Sequence, residues 1–192
     1  VVIYPSLDWG HSEEAQGDHF RILGMPDHGT FAEKIAIPGQ QLVEKPSHLS
    51  TTEAAALPLA GLTAYRALFS QGRLQSGELL LITGIGGGVA TWALKFALAA
   101  GARVLVTSSS SEKLARASSL GATAGFNYAE PGWTNDMVGD HGPVDMILDS
   151  AAGERDRLAS TAAKSSTKRQ TWRRCGASCA AASMPQTERR AD

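Results

Sequence analysis

Cysteine is nearly absent: Cys175 and Cys179 are the only two in 192 residues, close together in a polar stretch. A disulfide framework is therefore excluded as an organising device, and a reducing, cytoplasmic setting is the expectation. Zinc is poorly provided for too, since a tetrahedral site needs converging cysteine or histidine ligands. The segment PSLDWGHSEEAQGDHFRILG (5–24) has no cysteine, and Cys175-x-x-x-Cys179 has no partnering pair. His11, Glu14, Asp18 and His19 read as solvated loop residues. No apolar run approaches the ~18 residues of a membrane span. The start, VVIYPSLDWG, has neither a basic region nor a leader-like core, so no secretion signal is expected. Excess charge of one sign is missing as well, with 18 Lys and Arg against 19 Asp and Glu. No global field then points to nucleic acid or an anionic membrane. No serine sits in a nucleophile elbow with an identifiable base and acid, which leaves hydrolysis unsupported.

What is present falls into three segments. Residues 1–50 carry strand and turn signals. VVIYP is an apolar run ended by proline, TFAEKIAI (30–37) alternates like a half-buried strand, and MPDHG has turn chemistry. This part resembles a piece of a β-barrel. In residues 51–153 the period changes. Ser50 or Thr51 can cap a helix with Glu53 in its first turn, and LAGLTAYRALFSQG reads as a second helix closed by Gly72. Strand-like runs follow at Leu79–Thr83, Arg103–Thr107, Gly125–Tyr128 and Val144–Asp149, separated by helical stretches. That alternation predicts an α/β fold, a doubly wound parallel sheet with crossover helices. Residues 154–192 hold nine of the eighteen Lys and Arg residues and no Val, Ile or Phe. Scattered charge with one tryptophan is a poor nucleic-acid arm, so this tail is expected to be disordered.

The chemistry concentrates in LLLITGIGGGVATWALKFALAAGARVLVTSSSSEK (79–113). A strand, a glycine turn and a helix in that order make a phosphate site, because glycines admit the anion and helix N–H groups face it. The register Gly84-x-Gly86-x-x-Val89 fails at its third position. A turn one residue longer restores it, with Gly87-Gly88-Val89-Ala90 as the core and Ala90 as the small residue between helix and strand. The helix presents Val89, Trp92, Ala93, Phe96, Ala97 and Ala100 as its apolar stripe. A carboxylate about 20 residues past the turn would hold a ribose 2′-hydroxyl and favour NAD. The sequence has VTSSSSEK there, with no acid before Glu112. Serines and Lys113 suit a 2′-phosphate, and Lys113 in a helical first turn opposes the dipole unless an anion is bound. Ser109 and Glu112 would also form a capping box.

With LPLAGLTAYRALF, GGVA, GARVLVTSSSSEKLARASSLGA, FNY and VDMILDSAAG on the page, the chain resembles the medium-chain dehydrogenase/reductase superfamily. The likeness is to its quinone oxidoreductase, enoyl reductase and zinc-type alcohol dehydrogenase-like branch, through residues 1–153. It implies that residues 1–50 are the C-terminal remnant of a GroES-like catalytic barrel and residues 51–153 a partial Rossmann domain. It places Thr63 near the nicotinamide, Gly86, Gly87, Gly88 and Val89 at the pyrophosphate, and Ser108, Ser109, Lys113 and Tyr128 around an adenosine 2′-phosphate. The expected parent is an NADPH-dependent, zinc-independent reductase of an enone, enal or quinone. Its partners would be that small carbonyl or quinone substrate and, as a homodimer, a second copy. The alternatives are a zinc alcohol dehydrogenase and a nucleotide-binding fragment without turnover. No acid–base residue can be assigned.

Set against the resemblance, the chain is expected to lack the barrel's beginning, and the sheet is expected to stop after its fourth strand. Residues 154–192 read as an out-of-frame or misjoined segment. The chain as written is then expected to be inactive, with Met146 and Leu148 on a raw sheet edge.

Overall fold

The structure, a computed structural model, describes residues 1–12, 15–149 and 163–171. Its first fifty residues make two small antiparallel pairs, β1 (Val2–Ile3) with β4 (Leu42–Val43), and β2 (Ser6–Leu7) with β3 (Arg21–Ile22). Arg21 bridges Asp8 and Asp27, and the hydrogen bond to Asp8 is the main cause of its raised pKa. The strand expected over 30–37 does not form: those residues are irregular, and Phe31 is fully exposed. Alternation makes a strand only where a neighbour takes up the backbone groups and covers the apolar side, and here none does.

Ser50 caps α1 (Thr51–Ala55) through a complete capping box with Glu53. The Ser50 hydroxyl and backbone N–H hold the Glu53 carboxyl below its ordinary pKa. The second helix is wound in two ways. Residues Ala60–Tyr65 are α-helical (α2), and Arg66–Gln71 continue as a π-helical turn up to Gly72. Arg66 stacks over Trp9 at 4.5 Å, and Trp9 meets Phe20 edge-on, which joins the small sheets to this helix.

Then comes the parallel sheet: β5 (Leu79–Thr83), β6 (Arg103–Ser108), β7 (Ala124–Asn127), β8 (Val144–Asp149) and β9 (Ala163–Thr171). Their order is β7-β6-β5-β8-β9, with every pair parallel. This is the first five positions of the dinucleotide-binding order 3-2-1-4-5-6. Helices α3 (Gly88–Ala99) and α4 (Ser111–Ser119) cover the face carrying Leu80, Ile82, Val104, Val106 and Leu148. Helix α5 (Trp133–His141) covers the opposite face through Trp133 and Met137, against Leu81, Leu105 and Ile147. In α3 the fully buried residues are Ala90, Ala93, Leu94 and Ala97. Val89, Trp92 and Phe96 from the predicted stripe lie at the margin of that core.

The sheet does not stop at its fourth strand. β9 pairs with β8 (Met146↔Lys168, Leu148↔Gln170, Asp149↔Thr171), so Met146 and Leu148 are not on a raw edge. The strand AKSSTKRQT has no large apolar residue, and a search for buried runs passes over it. Its ladder is made by backbone groups, and polar side chains suit a strand at a sheet's edge. Thr167 Oγ1 donates to the Val144 carbonyl at 2.7 Å, while Lys168 Nζ reaches Glu78 at 2.7 Å and the Arg73 carbonyl at 3.0 Å. The expectation of a disordered tail otherwise concerns residues 154–162 and 172–192, which lie outside the described residues.

Lys168 ties β9 to Glu78 at the entry to β5. Lys168→Glu sets a carboxylate against Glu78 and is expected to speed amide exchange across residues 163–171 about tenfold or more, leaving β5 protected. Exchange followed by mass spectrometry checks this; equal exchange in the variant and the parent contradicts it.

Candidate functional site

β5 delivers the chain into Gly84–Gly88 at the carboxyl end of the sheet. Gly84 and Gly86 have φ of +67° and +120°, which only glycine adopts freely. Gly88 opens α3, and a Cβ there would lie 3.2 Å from the Ala60 Cβ, so this glycine lets α3 and α2 approach. Gly87 has neither reason. Its φ is −79°, and nothing lies within 4 Å of where its Cβ would stand. The space before Gly87 is open. Helix α3 also begins with no side-chain cap and no acid in its first turn. Its first N–H groups and the positive end of its dipole therefore face that space. Val89 is the second residue of α3, and Ala90 is fully buried against the sheet, as the longer register requires.

The serine run lies beside this turn. Ser108 ends β6, is buried, and accepts the Ser110 N–H at 3.1 Å. The cap of α4 is Ser110, which accepts the Lys113 N–H, so the expected Ser109–Glu112 box is replaced by a cap one residue later. Ser109 instead accepts the Tyr128 hydroxyl at 3.0 Å, just past the end of β7. The Lys113 stem lies over Gly86: a Cβ on Gly86 would be 2.8 Å from Lys113 Cδ and 3.2 Å from Cε. Two contacts thus lie at the carboxyl end of the sheet, the Lys113 stem over Gly86 and the Tyr128 hydroxyl on Ser109. Thr63 is buried on α2, one turn beyond the Ala60 that faces Gly88.

Sequence reasoning missed three polar residues beneath the turn. Thr107 Oγ1 accepts the Gly84 N–H, and Thr83 Oγ1 donates to Asp149 Oδ1. The available signal was a polar residue at the end of each of three buried strands, in LLLIT, RVLVTS and VDMILD.

A zinc site needs several cysteine, histidine or carboxylate groups to converge. Among the described residues no group of three or more is gathered in that way, Asp18 and the two histidines His11 and His19 included. Glu14 and both cysteines lie outside the described residues. No described helix is long and apolar enough to cross a membrane.

The sequence model of the zinc-binding dehydrogenase family matches residues 88–183. That match passes Gly153, where the resemblance was expected to end. A zinc-type alcohol dehydrogenase-like protein, YogA, of Leptosphaeria maculans is 35% identical over 166 residues, 80% of this chain and 46% of that protein. A crotonyl-CoA reductase of Streptomyces avermitilis is 39% identical over 118 residues, 60% of this chain and 26% of that protein. This chain thus spans less than half the length of either curated relative. Among solved structures, an NAD-dependent alcohol dehydrogenase superposes with a TM-score of 0.82 at 32% identity, over 88% of this chain and 52% of that one. The quinone oxidoreductase of Thermus thermophilus, solved also with NADPH, gives 0.67 at 33% identity, over 75% of this chain and 47% of that one. The fold, the glycine turn and these matches together place the chain in the zinc-binding dehydrogenase family of the medium-chain dehydrogenase/reductase superfamily.

Proposed function

We propose that the protein is an NADPH-dependent oxidoreductase of the zinc-independent type, acting on the activated C=C bond of an enone, enal or quinone. The observation that carries the dinucleotide is Gly87, a glycine with open space before it at an uncapped helix N-terminus. Gly86 to Val89 would take the pyrophosphate, through backbone N–H groups and the helix dipole. Ser109, Lys113 and Tyr128, already linked or adjacent, would take the 2′-phosphate, with Ser108 shaping the bend behind them. An ammonium and two hydroxyls suit a phosphate ester better than a neutral diol. Thr63 would lie on the nicotinamide side of the turn. When bound, the cofactor supplies the hydride; the chain's part is to orient it and keep water away.

The substrate class is drawn from relatives named for reduction of crotonyl-CoA and of quinones. A carbonyl or quinone small molecule and a second copy of the chain are the proposed partners, without nucleic acid or membrane. A second reading, a zinc alcohol dehydrogenase, is favoured by the names of the zinc-type relative and the NAD-dependent neighbour.

Two outcomes separate these readings. NADPH should bind more tightly than NADH, and Lys113→Glu should narrow the difference by about 1–3 kcal/mol, roughly fivefold to 150-fold. Fluorescence titration measures both affinities, and equal affinity in the unmutated protein refutes the NADPH assignment. Elemental analysis after dialysis should find no stoichiometric zinc. One zinc per chain would overturn the zinc-independent assignment and revive the alcohol dehydrogenase reading.

A further inference from the structure

Three neighbouring strands end in polar residues at one level. The pairing of Ile82 with Val106 sets Thr83 beside Thr107, and Thr83 itself pairs with Asp149 across β5 and β8. All three are buried, at 6%, 2% and 2% exposure for Thr83, Thr107 and Asp149. Central parallel strands are ordinarily apolar throughout, and a polar side chain buried there costs stability unless it is hydrogen-bonded. Here the bonds run to the glycine turn and across it. Thr107 Oγ1 accepts from the Gly84 N–H at 3.3 Å, and the Thr107 carbonyl accepts from the Ile85 N–H at 2.8 Å. Thr83, the residue before the turn, donates its hydroxyl proton to Asp149 Oδ1. The first two amides of the turn are thus fastened to β6, and the residue leading into it is fastened to β8. The row straddles the point where the chain leaves β5 toward β6 on one side and has β8 on the other, the crevice in which such sheets bind ligands.

We propose that Thr107 is a positioning residue for the phosphate-binding turn, with the Thr83–Asp149 pair anchoring the opposite side. Thr107 is itself buried. It acts through Gly84 and Ile85, holding the backbone so that Gly86 keeps its φ of +120° and Gly87 stays open. This rests on the reading of the turn as a dinucleotide pyrophosphate site. A turn released from β6 must be ordered again on binding, so affinity falls while the sheet survives.

The test compares Thr107→Val, which removes the acceptor at nearly constant volume, with Thr107→Ser, which keeps it. Leu105→Ala is the control, a fully buried residue two positions earlier on the same face that has no bond to the turn. Two readouts apply to the 192-residue chain: amide exchange at Gly84 without ligand, and the Kd for NADPH at fixed ionic strength. Thr107→Val should speed Gly84 exchange and weaken NADPH, each about tenfold, and Thr107→Ser should stay within about twofold of the parent. Leu105→Ala should lower the unfolding midpoint at least as far, with Kd within about twofold. Should Thr107→Val fail to fold, Thr83→Val against Thr83→Ser carries the same Kd comparison from the β8 side. Unchanged Gly84 exchange and Kd in Thr107→Val overturn the proposal, as does equal weakening by Leu105→Ala. A parent that binds no NADPH removes the functional reading as well, whereas normal parent binding with an indifferent Thr107→Val removes this inference alone.

Discussion

Every residue of β5 is buried, from Leu79 to Thr83, so neither face of the central strand can meet water. That constraint decides most of the molecule. A strand buried on both faces needs a layer of helices on each, and parallel neighbours need crossovers long enough to be those helices. α3 and α4 supply one layer and α5 part of the other. The first crossover must also turn sharply, because α3 begins five residues after β5 ends. The glycines answer that demand, and the uncapped helix end they leave is what the proposed pyrophosphate would face.

The sheet was legible in the sequence because its signal is redundant. Leu79–Thr83 and Val144–Asp149 are predicted and observed with the same bounds, since continuous apolar runs between turn residues have one economical reading. The segment 30–37 failed for the opposite reason. Two-residue period is a local property, whereas a strand needs a partner, and the partner is a non-local fact. β9 failed likewise: its place depends on the open side of β8 and on Glu78, ninety residues earlier. The capping residue was misplaced by one position because four consecutive serines are interchangeable on paper. Only the backbone bend at Ser108 selects Ser110.

In the site, residue types were easier to read than residue tasks. Gly86, Gly87 and Gly88 stand together in the sequence, yet one serves a left-handed bend and the contact with Lys113, one leaves open space, and one admits α2. Three similar letters carry three physical reasons, and the middle one points outward. The serine run divides in the same way into a buried bend at Ser108, a partner for Tyr128 at Ser109 and a cap at Ser110. The threonines and the aspartate under the turn went unnoticed because polar strand ends resemble ordinary exits to solvent. Their burial and register mark them as part of the turn's support.

The central claim is that the turn from Gly86 to Val89, together with Ser109, Lys113 and Tyr128, receives a dinucleotide. Titrating the isotope-labelled chain with NADPH while recording its backbone amide spectrum addresses this residue by residue. The account predicts saturable shifts at Gly86, Gly87, Gly88 and Val89 and at Ser109 and Tyr128, the first set reproduced by inorganic pyrophosphate at higher concentration. Saturable binding whose shifts fall in residues 1–50 and leave Gly87 unmoved would contradict it.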